Sequence, residues 1–312
     1  MKELLLILGI LAILLVLLLI LWIAARHYFG RGGPIYDIDR ILRKQPAYLE
    51  RIQRGRAFLA DRTSETLTIT SDDGLKLFGK LYAPDTPSNR YILCMHGFRS
   101  SLGDFDCAVE FFLSQGYHVL LVHQRAHGLS EGHWITFGLK ERYDCRAWCR
   151  ALAERAGKDG VIVLDGLSMG ATTVLMATAL DLPHQVHGVI ADCGFSSPWE
   201  IVCRVARSRG IPVRPIMPLM RQALRLFAGF DLKETTTVEA VQKAKVPILF
   251  CHGKDDDFVP HEMSVKTYEA CASEATLVLV EGAGHGLSYI VDEPRCQAAC
   301  ATLLRKAAEE IR

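Results

Sequence analysis

The pattern of apolar and polar positions divides the chain into three regimes. From Leu4 to Ala25 there is no charge, and Leu and Ile dominate. A helix of that length crosses a hydrocarbon core of about 30 Å. Trp22 and Tyr28 fall where a membrane interface would lie. A cleaved signal peptide has a shorter apolar core and a small-residue cleavage site, and no convincing site precedes Arg26. The pattern therefore favours an uncleaved anchor over residues 1–25. Lys2 stands alone before the span, whereas Arg26, Arg31, Arg40, Arg43 and Lys44 follow it. The bias of positive charge toward the cytoplasm then predicts a single-pass membrane protein with its large domain on the cytoplasmic side.

The second regime is a basic connector, residues 26–62. Gly30 to Pro34 stops the membrane helix, and Asp37 to Ala60 has helical periodicity, with Ile38, Ile41, Leu42, Tyr48, Leu49, Ile52 and Phe58 set among charges. Such a helix either packs on the domain or lies on the membrane surface.

The third regime, residues 63–312, changes period repeatedly. Thr66–Thr70 and Leu75–Tyr82 alternate around the turn Ser71-Asp72-Asp73-Gly74, which predicts an antiparallel hairpin. Continuous apolar runs follow at Tyr91–Met95, Tyr117–Val122, Val161–Leu167, Val186–Ala191, Pro247–Cys251 and Thr276–Val280. Helical patterns separate them at Asp104–Ser114, Leu139–Ala156, Ala171–Leu180 and Met263–Cys271, and a last one begins near Pro294. Apolar runs alternating with helices predict a mostly parallel sheet with helices on both faces. The alternation fails only at about 195–245. There Trp199–Arg209 and Leu219–Phe230 are amphipathic, and Pro212, Pro215 and Pro218 punctuate the segment. A helical insert at that place is expected to form a lid over the strand ends. Its apolar positions Ile201, Val202, Val205, Leu219, Leu224, Leu226 and Phe227 close a pocket, pack on their own domain, or do both.

Composition adds exclusions. Half of the residues are hydrophobic, enough for a large core, and the net charge is +1, which gives no electrostatic footprint for nucleic acid. The 10 cysteines are scattered and mostly lie in apolar runs, with no CxxC pair and no Cys/His cluster of ligand spacing. Buried free thiols in a reducing compartment are the expectation, with no metal site.

Candidate chemistry sits at strand ends, where open α/β sheets bind ligands. The run Val161–Leu167 leads into Gly166-Leu167-Ser168-Met169-Gly170, and a small-residue helical pattern follows. Strand, sharp turn and helix are the context of a nucleophile elbow, with the Met169 amide at a helix N-terminus beside Ser168. A serine hydroxyl needs a base to take its proton and a carboxylate to orient that base, in the chain order Ser, acid, His. After Ser168, the strand Pro247–Cys251 ends in His252-Gly253-Lys254-Asp255-Asp256-Asp257-Phe258-Val259-Pro260, and the strand Thr276–Val280 ends in Glu281-Gly282-Ala283-Gly284-His285-Gly286. His285 is the candidate base; the aspartate remains open among the three.

These motifs, with His96-Gly97-Phe98 and Arg125-Ala126-His127-Gly128-Leu129-Ser130-Glu131-Gly132, resemble the α/β-hydrolase superfamily. The nearest branch is that of serine esterases and serine aminopeptidases, whose members often carry an N-terminal membrane anchor. The resemblance spans roughly Leu67 to the C-terminus. It implies Asp256 as the acid, with Asp255 second, and an oxyanion hole from the backbone amides of Phe98 and Met169. Arg125, His127 and Asp144 then brace loops near the site, and Arg99, beside the hole, is expected in a surface salt bridge. The function implied is a membrane-anchored serine hydrolase that cleaves carboxylic esters, acyl lipids among them, through an acyl-enzyme on Ser168. No cofactor is required. The partners are a small ester or acyl substrate and the lipid bilayer through residues 4–25. The alternatives are a serine aminopeptidase-like peptidase, a thioesterase or acyltransferase, and a non-catalytic membrane-tethered binding protein on the same scaffold.

Overall fold

The structure, a computed structural model, describes residues 1–33 and 46–309. The first part of the connector, with Ile38, Ile41 and Leu42, lies outside the described residues. Helix α1 (Lys2–Phe29) is long and apolar enough to cross a membrane. Its first twenty residues are exposed, and only its last turns, at Ala25 and Phe29, are buried against the rest of the chain. Helix α2 (Pro46–Ala60) packs on the domain rather than standing apart from it. Ile52 is buried against Leu287 and Ile290, and the Arg56 guanidinium meets Asp106 at 3.0 Å.

The remaining chain builds one eight-stranded sheet. In chain order its strands are β1 (Glu65–Thr70), β2 (Lys76–Tyr82), β3 (Arg90–Met95), β4 (His118–His123), β5 (Val161–Leu167), β6 (Val186–Asp192), β7 (Ile248–Gly253) and β8 (Ala275–Val280). Their spatial order is β1-β2-β4-β3-β5-β6-β7-β8. The hairpin β1–β2 forms an antiparallel edge and β2 pairs β4 antiparallel, while every later pairing is parallel.

Continuous apolar runs are what a sheet covered on both faces demands. Tyr91, Leu93 and Met95 join one core cluster, with Trp148 and Leu152 of α4 (Glu141–Ala156) and Val174 of α5 (Met169–Ala177). Ile92 and Cys94, on the other side of the pleat, join a second. It contains Phe112 of α3 (Val109–Ser114) and Leu303 and Leu304 of a long C-terminal helix (Glu293–Glu309).

Element boundaries shift where side chains have other work. The helical pattern at Asp104–Ser114 splits into a 3-10 turn at Leu102–Phe105 and then α3. The Asp104 carboxylate is taken by the Gly97 amide and the Ser100 hydroxyl, which bends the chain there. Likewise α4 starts at Glu141 because that carboxylate accepts the Thr136 and Gly138 amides at 2.7 and 2.9 Å. In the insert, α6 (Pro198–Ser208) is capped by the Ser197 hydroxyl. Helix α7 (Val213–Phe227) begins six residues earlier than expected, at Val213 rather than Leu219. Pro215 lies in its first turn, where no amide donor is needed, and only Pro218 removes a helical bond. The later elements are α8 (Thr237–Val241), α9 (Glu262–Glu269), α10 (Ser288–Val291) and α11 (Glu293–Glu309).

One buried cation joins the antiparallel edge to the parallel sheet. The Arg125 guanidinium donates to Asp144 on α4 through Nε and Nη2, both at 2.6 Å, and to Asp73 of the hairpin turn at 2.8 and 3.0 Å. The side chains of Arg125 and Asp144 are 5% and 2% exposed. Removing one member of such a pair strands the other charge in the interior. Arg125→Met should therefore cost about 3–5 kcal/mol of unfolding free energy. Urea denaturation measures it, and a loss below about 1 kcal/mol would show that the cluster holds nothing together.

Candidate active site

The turn between β5 and α5 puts a serine where the backbone is strained. Ser168 has φ 56° and ψ −113°, a region that costs a non-glycine residue of order 1–3 kcal/mol. The flanking glycines make the turn possible by close approach. A Cβ on Gly170 would lie 1.7 Å from the Met95 carbonyl oxygen, and one on Gly166 would lie 2.4 Å from the backbone of Gly170. The Ser168 amide is held by the Asp192 carbonyl at 2.8 Å.

Around that serine the strand ends converge. Ser168 Oγ lies 2.9 Å from His285 Nε2, and His285 Nδ1 lies 2.6 Å from Asp256 Oδ2. The other oxygen, Oδ1, accepts the amides of Phe258 and Val259 at 3.0 and 2.8 Å. Asp255 and Asp257 are exposed, so among the three aspartates Asp256 is the one brought to His285. Burial works to raise the Asp256 carboxyl. Hydrogen bonds from His252 and His285, the His285 charge and the Val259 amide outweigh it and hold the group well below the usual carboxylate range.

His252 was not singled out by its motif. It is fully buried, with Nδ1 2.6 Å from the Ser264 hydroxyl and Nε2 within 3.1 Å of Asp256 and 2.8 Å of the Val259 carbonyl. An Nε2–H donor satisfies both acceptors and leaves Nδ1 to accept from Ser264. The imidazole thereby fixes the loop that presents Asp256.

The loop after β3 lies across the same site. The Gly97 amide donates to Asp104 at 2.7 Å, and the Arg99 amide donates to His127 Nε2 at 3.0 Å. The amide of Phe98 sits between two anchored ones, while the Met169 amide opens α5 and has no acceptor within the helix. Beneath this loop His96 and His127 pack edge to face, 4.7 Å apart. Burial holds both well toward the neutral form, with each other's charge a further penalty on His96. Arg99 differs from expectation. Its guanidinium donates to the His27 carbonyl at 2.5 Å, and no carboxylate partners it among the described residues.

A cavity of about 140 Å³ opens beside Ser168 and His285. It runs between the sheet and the α3/α11 side, and Ile52 of α2 lines it. No residue of the insert is among its lining. The inner face of the insert joins two clusters: Ile201 with Met169 and Val259 beside the site, and Leu224 with Ala25 and Phe29 at the end of α1.

Three carboxyls reach this otherwise apolar space: Asp104, Asp165 and Asp192. Burial raises all three, and the charge of Asp192 adds to the shift of Asp165, which is pushed up to about 8. The one warning in the sequence was an aspartate inside the apolar run of β5. Cys193, Asp256 and His285 each place a ligand-type atom within 4.8 Å of the others. Burial pushes the Cys193 thiol well up, which disfavours the thiolate a metal needs, and the other two are engaged with each other. All ten cysteines are free, and eight of them are buried.

Comparison with known proteins agrees with this fold. The serine aminopeptidase (S33) family pattern matches residues 86–229, and the pattern of TAP-like proteins matches residues 224–310. The chain is an α/β-hydrolase. It is 29% identical over 222 residues to the uncharacterised protein YqkD of Bacillus subtilis, covering 71% of this chain and 72% of that one. It is 24% identical over 264 residues to a bifunctional esterase/perhydrolase of Acinetobacter calcoaceticus, covering 70% and 92%. Among solved structures, an esterase of Pyrococcus furiosus superposes with a TM-score of 0.63 at 22% identity, over 78% of this chain and 91% of the esterase.

Two outcomes follow for this α/β-hydrolase. Gly170→Ala should lower the melting temperature sharply or abolish folding, because the methyl group meets backbone that cannot withdraw; a melting curve like the wild type would refute the close approach. Asp165 keeps its proton up to about pH 8 when folded. Unfolded, it keeps it only to about pH 4. Between those limits the folded state binds the extra proton, so stability falls as pH rises. Asp165→Asn should make that decline shallower in urea titrations between pH 5 and pH 8; parallel profiles would show that Asp165 does not titrate there.

Proposed function

We propose that the protein is a membrane-anchored serine hydrolase that cleaves carboxylic esters through an acyl-enzyme on Ser168. The observation that carries this reading is the unbroken hydrogen-bonded chain Ser168–His285–Asp256, with the serine at positive φ in front of a helix. His285 Nε2 takes the proton from Ser168 Oγ as the oxygen attacks the substrate carbonyl, and Asp256 holds the ring and stabilises its positive charge. The Phe98 and Met169 amides receive the oxyanion. His285 then returns the proton to the leaving alcohol, and a water activated by the same imidazole releases the acyl group. The apolar walls of the cavity suit an acyl chain. A span at residues 4–25 places the enzyme at a bilayer, where acyl lipids are at hand, and the flanking charges favour a cytoplasmic catalytic domain.

A second reading, cleavage of amides beside a free amine, is favoured by one observation. Three carboxyls, Asp104, Asp165 and Asp192, line the cavity, and their oxygens can accept from the N–H groups of an amine. A panel of p-nitrophenyl esters of increasing chain length beside aminoacyl p-nitroanilides separates the two readings. The ester reading expects the larger kcat/KM on short-to-medium esters.

A fluorophosphonate probe should label the wild-type protein and not Ser168→Ala. Folded wild type that stays unlabelled would remove the enzyme reading altogether. Asp256→Asn should lower kcat by about 10³–10⁴-fold with little change in KM. Asp255→Asn should leave both near the wild type, and a reversal of these two results would reassign the acid.

A further inference from the structure

The insert between β6 and β7 was expected to cover the substrate, yet its outer surface is built for something else. Six arginines and one acid, Glu200, lie between Pro198 and Phe227. Arg221 is engaged by Asp231 at 2.6 and 2.7 Å, with Arg225 at 3.8 Å from the same carboxylate. Arg204 donates to the carbonyls of Asp257 and Phe258. Arg207, Arg209 and Arg214 are exposed and have no ion pair among the described residues; Arg209 lies over the Tyr28 ring at 5.7 Å.

Helix α7 also leaves apolar surface in the open. Met217, Met220 and Leu224 face inward, whereas Ile216, Leu219 and Leu226 are 37%, 55% and 68% exposed. Leu219 follows Ile216 by three positions and precedes Leu226 by seven, so the three form one stripe along the helix. Arg214, Arg221 and Arg225 lie on the opposite flank of the outward side.

What covers this face is indicated by its neighbour. The buried side of α7 packs on the last turns of α1, through Ala25 and Phe29, and toward its N-terminus α1 is an apolar helix exposed up to Ile20. Further contacts tie the end of α1 to the domain. Arg31 donates to the carbonyls of Gly128 and Ser130, and the Ile135 amide donates to the Phe29 carbonyl at 2.8 Å. A bilayer crossed by α1 therefore ends beside α7.

We propose that α7, with the α6–α7 turn, is a membrane-docking surface. Ile216, Leu219 and Leu226 enter the headgroup–acyl boundary of the leaflet that α1 leaves, and Arg207, Arg209 and Arg214 bind its anionic headgroups. An amphipathic helix of apolar stripe and arginine flank has the chemistry for that boundary. The proposal rests on the reading that α1 spans the membrane. It assigns the outer face of the insert to the bilayer.

Hydrogen–deuterium exchange of the full chain in nanodiscs tests it, with phosphatidylcholine alone compared with phosphatidylcholine plus phosphatidylglycerol. Amides of 213–227 should exchange about tenfold more slowly in the anionic discs, and high salt should erase the difference. The triple variant Arg207→Glu/Arg209→Glu/Arg214→Glu should lose the difference while melting like the wild type in detergent. Leu219→Asp should weaken protection in both kinds of disc. Residues 4–20 report separately on the anchor. If they are protected while 213–227 exchange alike in both discs and in detergent, the docking surface is overturned and the span stands. If they are unprotected, the spanning reading fails and the proposal falls with it. A lipid difference that survives in the triple variant also overturns the role of the three arginines.

Discussion

The contact on which the rest of the site depends is the one between α5 and the end of β3. The Gly170 backbone rests so near the Met95 carbonyl that no side chain fits between them. That approach pins the first turn of α5 against the sheet and forces Ser168 into its positive-φ conformation. It also brings the loop after β3, with Phe98, beside the serine and the Met169 amide. The placement of Ser168 and of the Phe98 and Met169 amides thus depends on one steric condition, met by a glycine that lacks a Cβ.

The partners of Ser168 are held by a second layer of polar groups with little freedom. Asp256 spends one oxygen on two backbone amides and the other on two imidazoles. His252, wholly buried, has a partner for each ring nitrogen. The oxyanion loop has its own braces in Asp104 and His127. Satisfied polar networks of this kind fix geometry because every alternative rotamer would bury an unpaired group.

The end of α1 is part of the same assembly. Phe29 packs edge-on against Phe137, 5.6 Å between centroids, and Phe137 stacks on Phe98 at 5.0 Å. Arg99, next to Phe98, reaches back to the His27 carbonyl. Helix α1 is therefore in packing continuity with the loop after β3, through rings and one guanidinium, and its position bears on the site.

Much of this was legible in the chain itself, because the signals are local. A covered parallel sheet needs continuous apolar strands, a long apolar helix shows as an uninterrupted run, and a strand–turn–helix as sharp as the one at Ser168 needs glycines on both sides; each can be read within about twenty residues. The order of acid and histidine after Ser168 narrowed the partners further, though the loop of three aspartates became a single choice only when folding buried Asp256 and left Asp255 and Asp257 in solvent. What tertiary structure alone decided was which surfaces meet. Periodicity marks a face as apolar without saying what it faces: it allowed the connector helix to pack on the domain or lie on the membrane, and the insert to close a pocket or pack on its own domain. Packing puts Ile52 at the pocket and the insert against the end of α1. Nor does sequence spacing bring Asp104, Asp165 and Asp192 together. Three carboxyls from three separate segments share one cavity because parallel strands and the adjoining loop deliver them to the same end of the sheet, and only their common burial raises them all.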